Sequence, residues 1–109
     1  MADLEETDGS QATMAQSLDT RGAQVLRITG ELDLSNVEEL RAKIELIVDQ
    51  APERLVFDLS ALSFMDSSGI ALLLTVAERV GTVELHNPTA IIRRVIEVTG
   101  LSHILRVTP

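Results

Sequence analysis

Two rhythms of apolar and polar residues alternate along this chain, one of period two and one of period 3.6. Gln24-Val25-Leu26-Arg27-Ile28-Thr29 alternates strictly. Leu26 and Ile28 point one way and Val25, Arg27 and Thr29 the other, as in a half-buried strand. Met14 to Leu18 alternates more weakly, and Asp19-Thr20-Arg21-Gly22 between the two runs reads as a turn. The alternation stops at Gly30-Glu31-Leu32-Asp33-Leu34, which reads as the start of a loop. Helical spacing takes over next: Val37, Leu40, Ile44, Ile47 and Val48 share a face, and Pro52 ends the run. Ser35 followed by Glu38 fits a capping box at its start.

Arg54-Leu55-Val56-Phe57-Asp58-Leu59 is nearly continuous in apolar character, which suits a central strand. A second helical run follows Asp66-Ser67-Ser68-Gly69 and continues to about Val80, with Gly81 closing it. Ile70, Leu73, Leu74 and Ala77 form its expected core stripe, with Ala71, Leu72 and Val76 off that stripe. The first turns are thus apolar nearly all round, and their second face needs a cover from neighbouring elements or from a partner. Thr82 to His86 is a short strand. Asn87-Pro88 reads as a cap with proline in the first helical position. Ile91, Ile92, Val95 and Ile96 point inward on a third helix, Gly100-Leu101 stops it, and His103 to Val107 is a last strand.

An opening hairpin followed by alternating strands and helices predicts an α/β domain. Its mixed sheet should hold about five strands, with the first pair antiparallel, the crossovers parallel, and three or more helices as cover. Residues 1–12 hold Asp3, Glu5, Glu6 and Asp8 with no basic residue and read as a disordered acidic tail, leaving 13–109 as one domain. Sites in such folds gather at the carboxyl ends of strands beside helix N-termini. The Gly30–Leu34 loop and the Asp66–Gly69 turn both follow a strand and precede a helix, so they are expected at one end of the molecule.

Composition narrows the chemistry. The net charge is −8 without a basic run, which argues against direct nucleic-acid contact and against attraction to an anionic membrane. Phe57 and Phe64 are the only aromatics, so the core is aliphatic and no stacking platform exists for single strands. Zero cysteines exclude disulfides and thiol chemistry, as suits a cytoplasmic protein. No stretch reads as a signal peptide or membrane span. His86 and His103 stand apart, without the clustering a metal site needs. The serines lack the Gly-x-Ser-x-Gly elbow of a hydrolase, and no phosphate-loop motif occurs, so neither an enzyme nor a cofactor is expected.

The chemistry that remains is at Asp66-Ser67-Ser68-Gly69. Asp66 or Ser67 can cap the helix, and a phosphate on a neighbouring hydroxyl would sit at the positive end of the helix dipole. Gly69 would let another molecule approach the backbone closely. Read blandly, the same four residues are simply a good helix start.

Ile28-Thr29-Gly30-Glu31-Leu32-Asp33, Val56-Phe57-Asp58-Leu59, Leu62-Ser63-Phe64-Met65-Asp66-Ser67-Ser68-Gly69, Asn87-Pro88 and Val98-Thr99-Gly100-Leu101 occur here in one order and spacing. In these segments the chain resembles a STAS domain of the bacterial anti-sigma factor antagonists, over about Val25 to Val107. The resemblance implies that Ser67 accepts a phosphoryl group from the kinase activity of an anti-sigma factor. It also implies that the unphosphorylated form binds that factor and frees a sigma factor, and that a serine phosphatase resets the switch. Asp33, Asp66, Ser67, Ser68, Gly69 and Leu72 are the expected partner contacts, and a weak homodimer is left open. Two departures from the family pattern stand out. The sequence runs only to Pro109 where the family commonly adds a helix, and just Gly81-Thr82 separate the second helix from the next strand. The competing role on the same fold is a STAS subunit docked on the ATPase of a lipid-transport ABC complex.

Overall fold

A computed structural model describes residues 11–108. The acidic stretch at residues 1–10 lies outside the described residues. Among the described residues six strands form one mixed sheet: β1 (Ala12–Leu18), β2 (Gln24–Leu32), β3 (Arg54–Asp58), β4 (Leu62–Met65), β5 (Thr82–His86) and β6 (Arg106–Thr108). Three helices accompany them: α1 (Val37–Val48), α2 (Ser67–Arg79) and α3 (Ala90–Thr99). The order across the sheet is β1-β2-β3-β5-β6, with β4 pairing β2 beyond the end of β3. Only β1 runs antiparallel to its neighbour; every other pairing is parallel.

The sixth strand adds β4 to the expected sheet of about five and lengthens β2. β2 does not stop at Thr29 but continues to Leu32, because Gly30, Glu31 and Leu32 find partners in Leu62, Phe64 and Met65 of β4. The register shifts at Gly30, whose φ is +103°. A Cβ there would collide with the Gln11 carbonyl oxygen, so this irregular crossing requires glycine.

Other ends differ by a residue or two for local reasons. The expected capping box at Ser35 and Glu38 does not form. Asn36 is the N-cap of α1, and the Ser35 hydroxyl donates instead to Asp33 Oδ1 at 2.6 Å. Thr89, not Asn87-Pro88, caps α3, accepting from the Ile92 N–H at 3.4 Å. Ile91 is exposed where the periodicity placed it inward, while Ile92 and Ile96 are buried. Gly100 ends α3 with φ +77°, as its position suggested, and Leu101 behind it is buried. The stretch His103–Leu105 is no strand: a short 3₁₀ turn covers Leu101–His103 and β6 begins only at Arg106.

One aliphatic core lies between sheet and helices. It gathers Leu26, Ile28 and Leu32 of β2, Leu55 and Phe57 of β3, Leu85 of β5 and the inner faces of all three helices. Burying each such side chain contributes roughly 1.5–3 kcal/mol. On α2 the inner face is Leu72, Leu73 and Val76, with Ile70, Leu74 and Ala77 only partly buried against it. Leu72 is 1% exposed. The expected stripe was therefore phased wrongly: the helix is apolar all round at its start, and period alone does not choose a face.

Candidate switch site at the carboxyl ends of the strands

β2 and β4 run side by side and end together, with Leu32 opposite Met65. The Asp66 N–H donates to the Leu32 carbonyl at 3.1 Å, so the two loops that follow are held at one end of the sheet, as expected. The loop after β2 is self-bonded. Asp33 Oδ1 accepts from the Ser35 N–H at 3.0 Å, and the Asp33 N–H donates to Asn36 Oδ1 at 3.0 Å. Asn36 Nδ2 reaches back to the Glu31 carbonyl at 2.8 Å.

Asp66 organises the other loop. Its backbone is extended, and its side chain caps α2 by accepting from the Ser68 N–H at 2.9 Å. The same carboxylate accepts from the Ser68 hydroxyl, and Oδ2 accepts from the Leu34 N–H at 3.3 Å. One side chain thus closes the helix start and ties it to the neighbouring loop. The Ser68 hydroxyl bond, with further help from the Ser68, Leu34 and Gly69 N–H groups, holds the Asp66 carboxyl below the usual carboxylate range. Partial burial opposes that shift.

The two serines consequently differ. Ser68 is half-buried and its hydroxyl is committed to Asp66. Ser67 is exposed in the first position of α2, and its hydroxyl makes no hydrogen bond among the described residues. The first-turn N–H groups of Ser68, Gly69 and Ile70 are already taken by Asp66. An anion on Ser67 would therefore meet the helix dipole but also the Asp66 carboxylate beside it.

Two expected contacts are corrected. Leu72 faces the core and offers nothing to a partner. Gly69 is buried too, and what approaches it is the chain itself: a Cβ would lie 2.5 Å from Met65 Cγ and 3.0 Å from Leu32 Cδ2. Asp33, Asp66, Ser67 and Ser68 do come together at this end. Beside them stand two side chains that the sequence reading did not single out, Leu34 at 77% exposed and Phe64 at 44%. Nothing in the pattern marks Leu34, a lone apolar residue between two polar ones.

Among the described residues no group of three His, Asp or Glu side chains could hold a metal ion, and no helix is long and apolar enough to cross a membrane.

Comparison with known proteins agrees with this geometry. The STAS domain family profile matches residues 15–109. An anti-sigma F factor antagonist of Lysinibacillus sphaericus is 39% identical over 87 residues, which span 75% of this chain and 74% of the relative. The crystal structure of an anti-sigma factor antagonist from Mycobacterium paratuberculosis superposes with a TM-score of 0.83 at 29% identity, covering 91% of this chain and 86% of that one. The Bacillus cell fate determinant SpoIIAA in its phosphorylated form gives a TM-score of 0.68 at 33% identity, covering 89% of this chain and 92% of that one. The chain belongs to the STAS domain family, in the branch that contains these antagonists.

Proposed function

We propose that this protein is a cytoplasmic anti-sigma factor antagonist. It binds an anti-sigma factor that is also a serine kinase, frees the sigma factor held there, and is switched off by phosphorylation of Ser67. A serine phosphatase restores it. The observation that carries this reading is the contrast between the exposed, unshared Ser67 hydroxyl and the neighbouring Ser68 hydroxyl bound to Asp66. An attacking oxygen must be reachable and free of competing hydrogen bonds, and of these two serines Ser67 meets both conditions. In the transfer, the Ser67 oxygen bonds to the γ-phosphorus of ATP, ADP leaves, and the hydroxyl proton passes to a base on the kinase.

The effect of the phosphate follows from charge. It adds about −1.5 to −2 beside the ionised Asp66 carboxylate. Leu34 and Phe64 border the same surface, and a doubly charged group among apolar contacts costs binding through desolvation. The fold itself is unaffected, because the Ser67 side chain supports nothing within it.

The test is to incubate the protein with its anti-sigma kinase and ATP, then read the intact mass and map the site. A gain of one phosphate, retained in Ser68→Ala and lost in Ser67→Ala, is the expected result. Phosphate on Ser68, or none in the presence of a kinase that binds tightly, overturns the assignment.

A further inference from the structure

The two edges of the sheet are finished differently. β6 is three residues long, carries Arg106 and is followed by Pro109, all features that discourage another strand from adding there. β1 is seven residues long, Ala12-Thr13-Met14-Ala15-Gln16-Ser17-Leu18, with no charge and no proline. Among the described residues it pairs only with β2, and its last four residues are exposed. Leu18 is 65% exposed. In a chain of net charge −8, this edge brings no charged residue of its own against a second copy.

The hydrogen-bond phase of that edge can be read from its ends. The Asp19 N–H donates to the Ala23 carbonyl at 2.9 Å and the Glu31 N–H to the Gln11 carbonyl at 3.3 Å. In an antiparallel ladder such narrow pairs alternate with wide ones. Thr13, Ala15 and Ser17 therefore turn their N–H and C=O groups toward Thr29, Arg27 and Val25 of β2. Ala12, Met14, Gln16 and Leu18 turn theirs outward.

From this phase we infer that β1 pairs with β1 of a second copy, antiparallel, about a twofold axis at Ala15. Met14 then stands opposite Gln16 and Ala12 opposite Leu18, twice each, and every outward-facing group meets another in the correct phase. The residues at wide pairs are small: Ala15 meets Ala15 at the axis, and Thr13 meets Ser17. No like charges face each other. The axis is perpendicular to the sheet, so the two sheets become one with both helix layers on the same side. Pairing of β1 with the opposite edge, β6, would instead be head-to-tail and open-ended, and β6 holds three of the described residues. Because the two β1 strands run in opposite directions, the two Ser67 ends point away from each other and both stay free for a partner.

Sedimentation of the full chain over a wide concentration range tests this, with amide hydrogen exchange as the residue-level readout. The wild type is expected to associate reversibly to a dimer, more tightly as salt screens its net charge. Gln16→Pro removes an N–H that points outward and leaves the bonds of Ala15 and Ser17 to β2 intact, so the monomer keeps its fold. Each dimer loses two hydrogen bonds and meets two proline rings, so its dissociation constant should rise about thirtyfold or more. In the wild type, the Met14 and Gln16 amides should gain protection as concentration rises, while the Ala15 amide is protected throughout. A chain that stays monomeric at the highest concentration overturns the inference. So does a Gln16→Pro dimer of unchanged affinity, or outward amides that exchange freely in the dimer.

Discussion

Asp66→Ala separates the architecture of the switch end from its chemistry. The Asp66 side chain accepts three hydrogen bonds: from the Ser68 N–H, the Ser68 hydroxyl and the Leu34 N–H. Loss of the N-cap alone costs about 1 kcal/mol. The Ser68 hydroxyl and the Leu34 N–H lie near enough to solvent to bond water instead, so they add only a few tenths each. The expected loss is about 1–2 kcal/mol, which moves a urea midpoint down by about 1 M for a slope near 1.5 kcal/mol/M. Asp66→Asn keeps a capping oxygen and should recover most of that loss, since Asn and Asp cap about equally well. Both variants also differ from wild type in pH response. The folded-state carboxyl of Asp66 is depressed, so its extra contribution is present above the unfolded value of about 3.9 and is lost as pH falls through the lower folded value. Asp66→Ala and Asp66→Asn should both lack that slope. Urea titrations of the three proteins at neutral pH and near pH 3 provide the comparison. Equal midpoints for wild type and Asp66→Ala, or an Asn variant as weak as the Ala variant, would refute the capping account.

Two further outcomes follow from features outside the Asp66–Gly69 turn. Gly30→Ala should lower the thermal midpoint by several degrees, because the +103° φ is unfavourable for alanine and the added methyl meets the Gln11 carbonyl; a melting curve equal to wild type would show that the β2 crossing relaxes freely. At the opposite end of the strands, Arg54 bridges Glu84 at 2.7 Å and Asp19 at 2.6 Å, while His86 Nε2 lies 2.8 Å from Glu84. Glu84 is 7% exposed and is held down to about 2, chiefly by Arg54; Asp19 is held down to about 2, chiefly by the Ala23 N–H and then by Arg54. Both contributions are fully present above the unfolded carboxylate values near 4 and fade as pH falls toward 2. Glu84→Gln should therefore flatten the acid arm of stability against pH, and a variant whose acid arm matches wild type would rule the network out as its source.

The sequence announced the alternation of strands and helices because each element carries its own period, and the resemblance drew on the same residues. What it hid was non-local. The extension of β2 through Leu32 depends on β4, and Leu62-Ser63-Phe64-Met65 is too short to read as a strand without that partner. The inner face of α2 was misjudged for a different reason. Ile70, Ala71, Leu72, Leu73 and Leu74 leave no polar position to phase the helix, so Leu72 looked available to a partner when it is core. At the candidate site, the motif located Asp66, Ser67 and Ser68, but the difference between the serines rests on the Ser68 hydroxyl bond to Asp66, which the fold alone reveals. The Ser35 capping box does not form because Asn36 takes the N-cap position and the Ser35 hydroxyl donates to Asp33.

The direction of the two outermost strands carries a practical consequence. β1 begins at Ala12, opposite Gly30, and β6 ends at Thr108, opposite His86. Both lie at the carboxyl ends of the parallel strands, the same pole as Ser67. A fusion partner, affinity handle or sensor surface joined through either end of the described chain would therefore crowd the face proposed to meet the kinase. The Thr20-Arg21 turn between β1 and β2 lies at the other pole. A single attachment made there would present Ser67 outward, and with no native cysteine in the chain a thiol placed in that turn would be unique.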